Sequence, residues 1–295
     1  MNLINQYSIQ SFKIIMVVLS ILLLGGCAGN MIKTDESVDQ VDDIEMLEQK
    51  AAQLYRSGDK DEALIEYVNI INIDPRNENA YMKIGRIHES LKSYQLAEMA
   101  YKSVLEINPE NVAAREGLGI SMLKQGNHNE AEVILADLVT YYPDRWRSHN
   151  GLGVIYDIKK MHSKAISHFK KADELNPNNA EIANNIGYAY YLNGDWEQAK
   201  QYFLIAIQLD NSFERAWSNM GLLYARRQEY KQSVSAFEHV MEKHEAWNQV
   251  GYLAMISGDY EASELQLKKA ILIAPFYYED AHKNLTRLEI LKGTL

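Results

Sequence analysis

The sequence has few of the residues on which disulfide-bonded, metal-binding and nucleic-acid-binding proteins depend. Its 295 residues include one cysteine, Cys27, which excludes an intrachain disulfide and any CxxC metal or redox motif. The formal net charge is −10 and no basic stripe is present, which argues against nucleic acid as a partner. Proline is also scarce, at five residues. The composition is otherwise that of a folded body, with 47% hydrophobic and 24% charged residues.

The main apolar run near the N-terminus is too short for a membrane-spanning helix. Lys13 precedes the nearly continuous apolar stretch Ile14–Leu24, and Gly25 and Gly26 follow it. A spanning helix needs roughly 20 such residues. A basic residue, a short apolar core and a small-residue exit are typical of a secretory signal peptide. We therefore predict a signal peptide over residues 1–26, with an uncleaved N-terminal anchor as the alternative.

The end of this segment, Leu24-Gly25-Gly26-Cys27, resembles the lipobox of bacterial lipoproteins. The resemblance implies cleavage before Cys27 and attachment of acyl chains to it, which would hold the protein to a membrane. Ala28 takes the place of the Asp that is typical of inner-membrane retention, so the implied location is the cell outer membrane, facing the periplasm. Residues 28–43 are polar, acidic and without periodicity. We predict that 27–43 form the lipidated cysteine and a flexible tether.

A fixed interval organises the rest of the chain. A small residue recurs six times at intervals of 34 residues, except that the last interval is 30. A second small residue follows each of these after twelve positions, and a large apolar residue comes four positions later, on the same helical face. The first series is Ala51, Gly85, Gly119, Gly153, Gly187, Gly221 and Gly251. All five prolines occupy the same position within the 34-residue interval, where each would end the second helix of a pair.

This period and pattern resemble the tetratricopeptide (TPR) repeat family. The resemblance implies an all-α, right-handed α-solenoid of about seven helix-turn-helix repeats. We place the repeats over residues 44–277, with a C-terminal capping helix over 278–295. The repeat bounds are 44–77, 78–111, 112–145, 146–179, 180–213, 214–243 and 244–277. Repeat six is short, and its second helix is expected to run on to the neighbourhood of Lys243.

In the TPR family the first helix of each repeat lines a concave groove, and the resemblance assigns groove positions in the C-terminal half of this chain. They are Asn150, Asp157, Asn184, Asn185, Tyr188, Tyr191, Asn219, Arg226, Asn248, Gln249 and Tyr252. A repeated carboxamide can donate to and accept from the backbone of an extended peptide, while tyrosine supplies apolar contact area. Two interpretations stay open: the amides contact a client protein, or they merely solvate the groove or bond between neighbouring helices.

The residues offer little for catalysis. His239 and His244 are five apart rather than in the HExxH spacing, and His162 and His168 lie six apart. The glycines follow the repeat interval and form no phosphate-binding loop. We therefore expect no enzyme activity, metal, cofactor or small-molecule substrate.

The C-terminal segment GYLAMISGDYEASELQLKKAILIAPFYYEDAHKNLTRLE resembles the TadD family of tight-adherence (Flp) pilus assembly lipoproteins. This resemblance implies an outer-membrane adaptor that binds protein clients, such as the pilus secretin or other assembly subunits. A pilotin-like TPR lipoprotein of type IV pili and a scaffold for cell-wall enzymes are alternatives.

Overall fold

The computed structural model describes residues 36–293, and within them the chain forms fifteen α-helices and no strand. This confirms the predicted all-α solenoid of seven helix pairs with a capping helix. The odd-numbered helices up to α13 are the first, or inner, helices of the repeats, and the even-numbered helices are the second, or outer, ones. The helices are α1 Glu36–Ser57, α2 Lys60–Ile73, α3 Glu78–Ser90, α4 Tyr94–Ile107, α5 Val112–Lys124, α6 His128–Tyr141, α7 Trp146–Ile158, α8 His162–Leu175, α9 Ala180–Asn193, α10 Trp196–Leu209, α11 Glu214–Arg226, α12 Tyr230–Phe237, α13 Lys243–Ile256, α14 Tyr260–Ile273 and α15 Glu279–Lys292.

The small residues of the 34-residue series mark close helix contacts. A Cβ atom at Gly153 would lie 2.5 Å from the ring of Phe169, and one at Gly187 would lie 2.6 Å from the ring of Phe203. Both rings are buried on the outer helix of the same repeat. Because such distances are shorter than any van der Waals contact allows, the inner helices of these two repeats have no room for a side chain at this position.

The turn between inner and outer helices contains a left-handed residue at one repeated position. In four repeats this position is a glycine in the left-handed conformation, with φ between 84° and 96°. In three repeats a residue with a side chain takes its place, namely Lys92, Lys160 and Gln228, with φ of 59°, 59° and 61°. The turn geometry is thus kept even where the sequence does not supply the residue that adopts it most easily.

Asparagines after the prolines begin the next inner helices. The side chain of Asn77 accepts a hydrogen bond from the backbone N–H of Ala80 at 2.9 Å. Asn111 and Asn179 do the same at the starts of α5 and α9. Proline ends one helix and asparagine two residues later caps the next, which fixes the register between repeats.

The predicted flexible tether is wrong for its last eight residues, because α1 begins at Glu36 rather than at the repeat boundary. Residues 1–35 lie outside the described part of the chain. The predicted signal peptide, the Cys27 attachment point and the rest of the tether fall there.

Repeat six differs from the prediction in its outer helix. Helix α12 has 8 residues and ends at Phe237, whereas α10 and α14 each have 14. The chain then turns, and α13 begins at Lys243, with the backbone N–H of Glu242 bonded to Glu245 at 3.0 Å. Since this repeat lacks four residues, the connection to the next inner helix uses residues that would otherwise continue the outer helix.

None of the helices in residues 36–293 combines the length and the apolar character that crossing a bilayer requires.

Candidate protein-binding groove

The inner helices of repeats two to six line an open cleft of about 580 Å³. Four of the predicted groove residues lie in it: Asn150, Asp157, Asn185 and Tyr188. The remaining lining is mixed apolar and charged, and it includes Glu89, Ile120, Leu123, Lys124, Trp146, Arg147, Val154, Ile158, Glu181, Leu192 and Arg215. The cleft therefore offers both apolar area and charge to a bound segment.

One wall of the cleft is held by an ion pair that links repeats two and four. Arg147 on α7 pairs with Glu89 on α3. Glu89 also accepts a hydrogen bond from the hydroxyl of Tyr101 at 2.9 Å. Burial, followed by the negative charge of Glu89, raises the pKa of Tyr101, so its hydroxyl stays a donor at neutral pH. The sequence analysis did not identify Glu89 or Arg147, because the pair joins residues 58 positions apart.

Asp157 contributes a hydrogen-bonded carboxylate to the cleft. Its Oδ1 accepts a hydrogen bond from Nδ1 of His162 at 2.9 Å. Burial raises the pKa of Asp157, and the bond from His162 acts in the opposite direction. The carboxylate is largely satisfied within repeat four, so it is a weak contact point for a client.

The repeated carboxamides form bonds between neighbouring inner helices. The amide of Asn185 donates to Asn150 at 3.1 Å, and that of Asn284 donates to Asn248 at 2.9 Å. Asn248 itself donates to the hydroxyl of Tyr278 at 3.2 Å. The two members of a pair are 35 residues apart in Asn150–Asn185 and 36 apart in Asn248–Asn284. We call this series the carboxamide ladder.

Asn184 and Asn219 are corrected by the structure as groove residues. Their exposed fractions are 1% and 9%, and the amide of Asn219 donates to Oδ1 of Asn184 at 2.8 Å. A buried amide requires a partner, and each of these two provides it for the other. For this pair the second interpretation is right, since the amides hold α9 to α11 and have no surface to offer a client.

The groove residues that remain accessible are aromatic, amide and cationic. Tyr188 is exposed and stacks on Tyr191, with ring centroids 6.0 Å apart. Burial raises the pKa of Tyr191, and the nearby Arg226 guanidinium partly opposes this. Arg226 is exposed, while Tyr252 and Gln249 are half-buried. Within residues 36–293 the Gln249 side chain makes no hydrogen bond, since Ser218 replaces the amide that would receive it.

A pair of histidines lies beside the groove in repeat four. Nδ1 of His149 on α7 is 3.2 Å from Nδ1 of His168 on α8, and Nε2 of His149 bonds to the carbonyl of Pro143 at 3.1 Å. Burial lowers the pKa of both side chains. Sequence reasoning compared histidines within one helix and missed this pair. The antiparallel pairing of the repeat brings Gly153, one helical turn after His149, against Phe169, the neighbour of His168, and this pairing would have placed the two histidines together.

In the described part of the chain, no group of three or more His, Cys, Asp or Glu side chains has an arrangement that could hold a metal ion. The two histidines bond to each other and to a backbone carbonyl, and the carboxylates of the cleft bond to neighbouring side chains.

The stacked helix pairs and the accessible concave groove define a helical-repeat scaffold of the kind that binds other proteins. Models described as tetratricopeptide repeat match residues 90–150, 159–223 and 244–277. The chain therefore belongs to the tetratricopeptide repeat family.

Solved structures share the fold at low sequence identity. A TPR protein from Parabacteroides merdae is 17% identical, covers 84% of this chain and 99% of its own, and superposes with a TM-score of 0.58. PilF of Pseudomonas aeruginosa is 18% identical, with the same coverage and a TM-score of 0.53. A thermophilic TPR protein of Thermus thermophilus is 21% identical over 60% of this chain, with a TM-score of 0.50. No curated protein matches the sequence.

Proposed function

We propose that this protein is a non-catalytic adaptor that is anchored in the outer membrane through Cys27 and binds protein clients in its concave groove. The clients are components of a tight-adherence (Flp) pilus assembly system, such as the secretin. The observation that carries the proposal is the accessible surface of the groove, where Tyr188 and Arg226 are exposed and the Gln249 side chain makes no hydrogen bond within residues 36–293. Aromatic and arginine side chains of this kind are enriched where proteins bind one another.

The membrane anchor is supported by the sequence before the repeats. The stretch Leu24–Cys27 resembles a lipobox, and it follows an apolar segment of signal-peptide length. The pilus assignment is supported by the resemblance of residues 251–289 to the TadD family. An adaptor tethered at the membrane would hold its clients close to the site where an envelope channel assembles.

Photo-crosslinking in cells tests the groove. A photoreactive amino acid replaces Tyr188 or Tyr252, and captured partners are identified by mass spectrometry. The matched control is the same substitution at Val133, which is exposed on the outer helix α6. We expect pilus assembly subunits to be captured from the two groove positions. Capture from Val133 alone would show that the groove is the wrong surface, and capture of cell-wall hydrolases or type IV pilus components would replace the pilus assignment.

A Cys27→Ser variant tests the anchor separately. We expect the repeat domain to fold and the protein to leave the outer-membrane fraction or to stall during maturation. Membrane fractionation and the mobility of the processed chain provide the measurement. A variant that is processed and retained like the wild type would contradict lipid attachment at this residue.

A further inference from the structure

The shortened connection of repeat six borders a cavity that lies outside the concave groove. Six of the seven outer helices end in a large apolar residue at the same repeat position, and proline or asparagine follows two residues later. These last residues are Ile73, Ile107, Tyr141, Leu175, Leu209 and Ile273. Helix α12 stops earlier, with 8 residues rather than 14.

The cavity has a volume of about 850 Å³ and lies between the ends of three helices. Glu238, directly after α12, and Lys243, the first residue of α13, line one side of it. The end of α14 and the turn after it, including Phe276, line the other side. We call this cavity the notch. It lies beside the connection that is four residues shorter than its counterparts.

Trp247 in the notch has an indole N–H without an acceptor. Three other repeats carry a side chain at the same repeat position that bonds to the carbonyl six residues earlier, in the preceding connection. These bonds run from Arg115 to Pro109, from His149 to Pro143 and from Trp217 to Asn211, at 2.9, 3.1 and 2.9 Å. The Nε1–H of Trp247 makes no hydrogen bond within residues 36–293. The shortened connection does not place a carbonyl where this donor could use it.

The aromatic wall of the notch is accessible to a partner. Trp247 is half-buried, and Phe276 is 64% exposed. A tryptophan that combines a large apolar ring with a free N–H can offer both contact area and one directed hydrogen bond. Tryptophan is also enriched among the residues that contribute most to protein–protein binding.

The charges that line the notch favour an acidic partner. Lys243 and Lys269 belong to no ion pair in the described chain, although Lys269 lies over the indole ring at 5.9 Å from its centroid. Glu245 accepts the backbone N–H of Glu242 at 3.0 Å, and these two residues form a capping box. The remaining carboxylate, Glu238, forms no ion pair within residues 36–293. Two unpaired cations thus face one unpaired carboxylate, which complements a negative charge on a partner.

The connections of the other repeats show which segment has the matching chemistry. Aspartate or asparagine stands between the apolar residue and the proline position in four of the six, at Asp74, Asn108, Asn176 and Asp210. Oδ1 of Asp74 and of Asp210 accepts the backbone N–H two residues further on, at 3.0 and 2.9 Å. Because an aspartate can form such a turn within a short segment, an isolated peptide can adopt it. An aliphatic–aspartate–proline sequence supplies the apolar side chain, the turn and the carbonyl that repeat six lacks.

We infer that the notch is a second client site, which binds an aliphatic–aspartate–proline turn of a partner protein. The proline carbonyl accepts the hydrogen bond from Trp247, and the aliphatic side chain packs against Phe276. The aspartate lies near Lys243 and Lys269. The partner thereby supplies the turn that is present in the other repeats. This inference goes beyond the proposed function, because it needs neither the groove nor the pilus assignment.

Synthetic peptides test the sequence requirement. The probe is a nonapeptide with leucine at position four, aspartate at position five, proline at position six, and alanine or serine elsewhere. One control peptide has lysine at position five, and another has alanine at position four. Binding of the dye-labelled peptides to the full-length chain in detergent is measured by fluorescence anisotropy. We expect the probe to bind about tenfold more tightly than either control.

Variants of the protein assign the contacts. Trp247→Phe should weaken the probe about fivefold, because the ring is kept and one hydrogen bond is lost. The matched control is Trp217→Phe, which removes an indole N–H that already donates to Asn211 outside the notch and should leave binding unchanged. Lys243→Glu should weaken the probe and strengthen the lysine peptide, whereas Lys231→Glu, at an exposed position of α12, should change neither. Circular dichroism checks that each variant is folded.

An insertion variant tests whether the notch is the place of the absent turn. Leu-Asp-Pro-Asn is inserted between Glu242 and Lys243, which gives this connection the length found in the other repeats. We expect the inserted turn to fill the notch and to weaken probe binding at least about tenfold. A folded insertion variant that binds the probe like the wild type would contradict the inference. If the insertion prevents folding, the comparison of Trp247→Phe with Trp217→Phe decides the question.

The outcomes separate this inference from the proposed function. Equal binding of the three peptides, no binding, or equal effects of Trp247→Phe and Trp217→Phe would overturn the notch inference. If Trp247→Phe instead dissociates an oligomer of this chain in analytical ultracentrifugation, the notch holds a second copy and the client inference is wrong. Cellular crosslinks from Tyr188 and Tyr252 report on the groove alone, so their loss would overturn the proposed function and leave the notch inference standing.

Discussion

The buried amide pair Asn184–Asn219 gives the most direct test of how the groove is built. Asn219→Ala removes the donor that bonds to Asn184 at 2.8 Å and leaves a buried acceptor without a partner. A hydrogen bond contributes about 1 kcal/mol net, and an unsatisfied buried polar group costs about 1–3 kcal/mol. We expect Asn219→Ala to lower the free energy of unfolding by about 2 kcal/mol, measured by urea denaturation and by hydrogen exchange of α9 and α11.

A matched control comes from the same carboxamide ladder. Asn185→Ala removes the 3.1 Å bond to Asn150, but these two side chains are half-buried at the cleft wall, where water can replace the lost partner. The expected cost is about 0.5 kcal/mol. The two variants thus delete one amide of the same type from the same structural series, and they differ in burial.

The double variant Asn184→Leu/Asn219→Leu completes the test. Replacing both buried partners with apolar residues of similar size removes the unsatisfied group, so the expected change is close to zero, and smaller than that of Asn219→Ala alone. The reasoning is refuted if Asn219→Ala costs no more than Asn185→Ala. It is also refuted if Asn219→Ala leaves stability unchanged and abolishes client capture, since the amide would then be a client contact.

Three further predictions concern packing, the turns and pH. Gly187→Ala should destabilise the protein by about 1–3 kcal/mol in urea denaturation, because the new methyl group would overlap the Phe203 ring; an unchanged midpoint would show that the ring moves freely. Lys160→Gly should raise stability by up to about 1 kcal/mol, because φ is 59° at this residue; a loss of stability would contradict the strain. Burial lowers the pKa of His149 and His168, so these two side chains bind protons more readily in the unfolded chain. The free energy of unfolding should therefore fall as the pH decreases through about 6.5. A variant with both histidines replaced by glutamine should show a flatter pH profile, and a slope equal to that of the wild type would rule out this pair as the cause.

Much of the fold is predictable from sequence because the repeat pattern indicates both where two helices pack closely and where a helix ends. The spacing of Gly153 and Phe169 indicates a close approach of two helices, and the prolines indicate where outer helices end. The early start of α1 and the short α12 were not predictable in the same way. Both differences concern where a helix begins or ends at the edge of a repeat. A few residues there can form either helix or connecting loop, and the repeat pattern does not specify which of the two they form.

The site was less predictable because it depends on helix rotation. Asn184 and Asn185 are adjacent in sequence, yet one is buried and the other lines the cleft. Successive residues of a helix differ by about 100° in direction around the helix axis. An error of one residue in the predicted orientation of the helix therefore assigns a buried amide to the accessible surface of the groove. Pairs that join different helices, such as Glu89 with Arg147, need the tertiary arrangement before they can be identified.

The groove separates the residues that hold the repeats together from those that a client can reach. The carboxamide ladder lies between the first helices, where its bonds connect them, whereas Ile158, Leu192 and Arg226 lie exposed in the last turns of these helices. Substitution of exposed residues generally changes stability by less than about 0.5 kcal/mol. The residue type at this exposed place is therefore free to vary, from Arg56, Ser90 and Lys124 in the first three repeats to Ile158, Leu192, Arg226 and Ile256 in the next four. This arrangement lets client preference differ along one solenoid without a change in the helix packing that supports it.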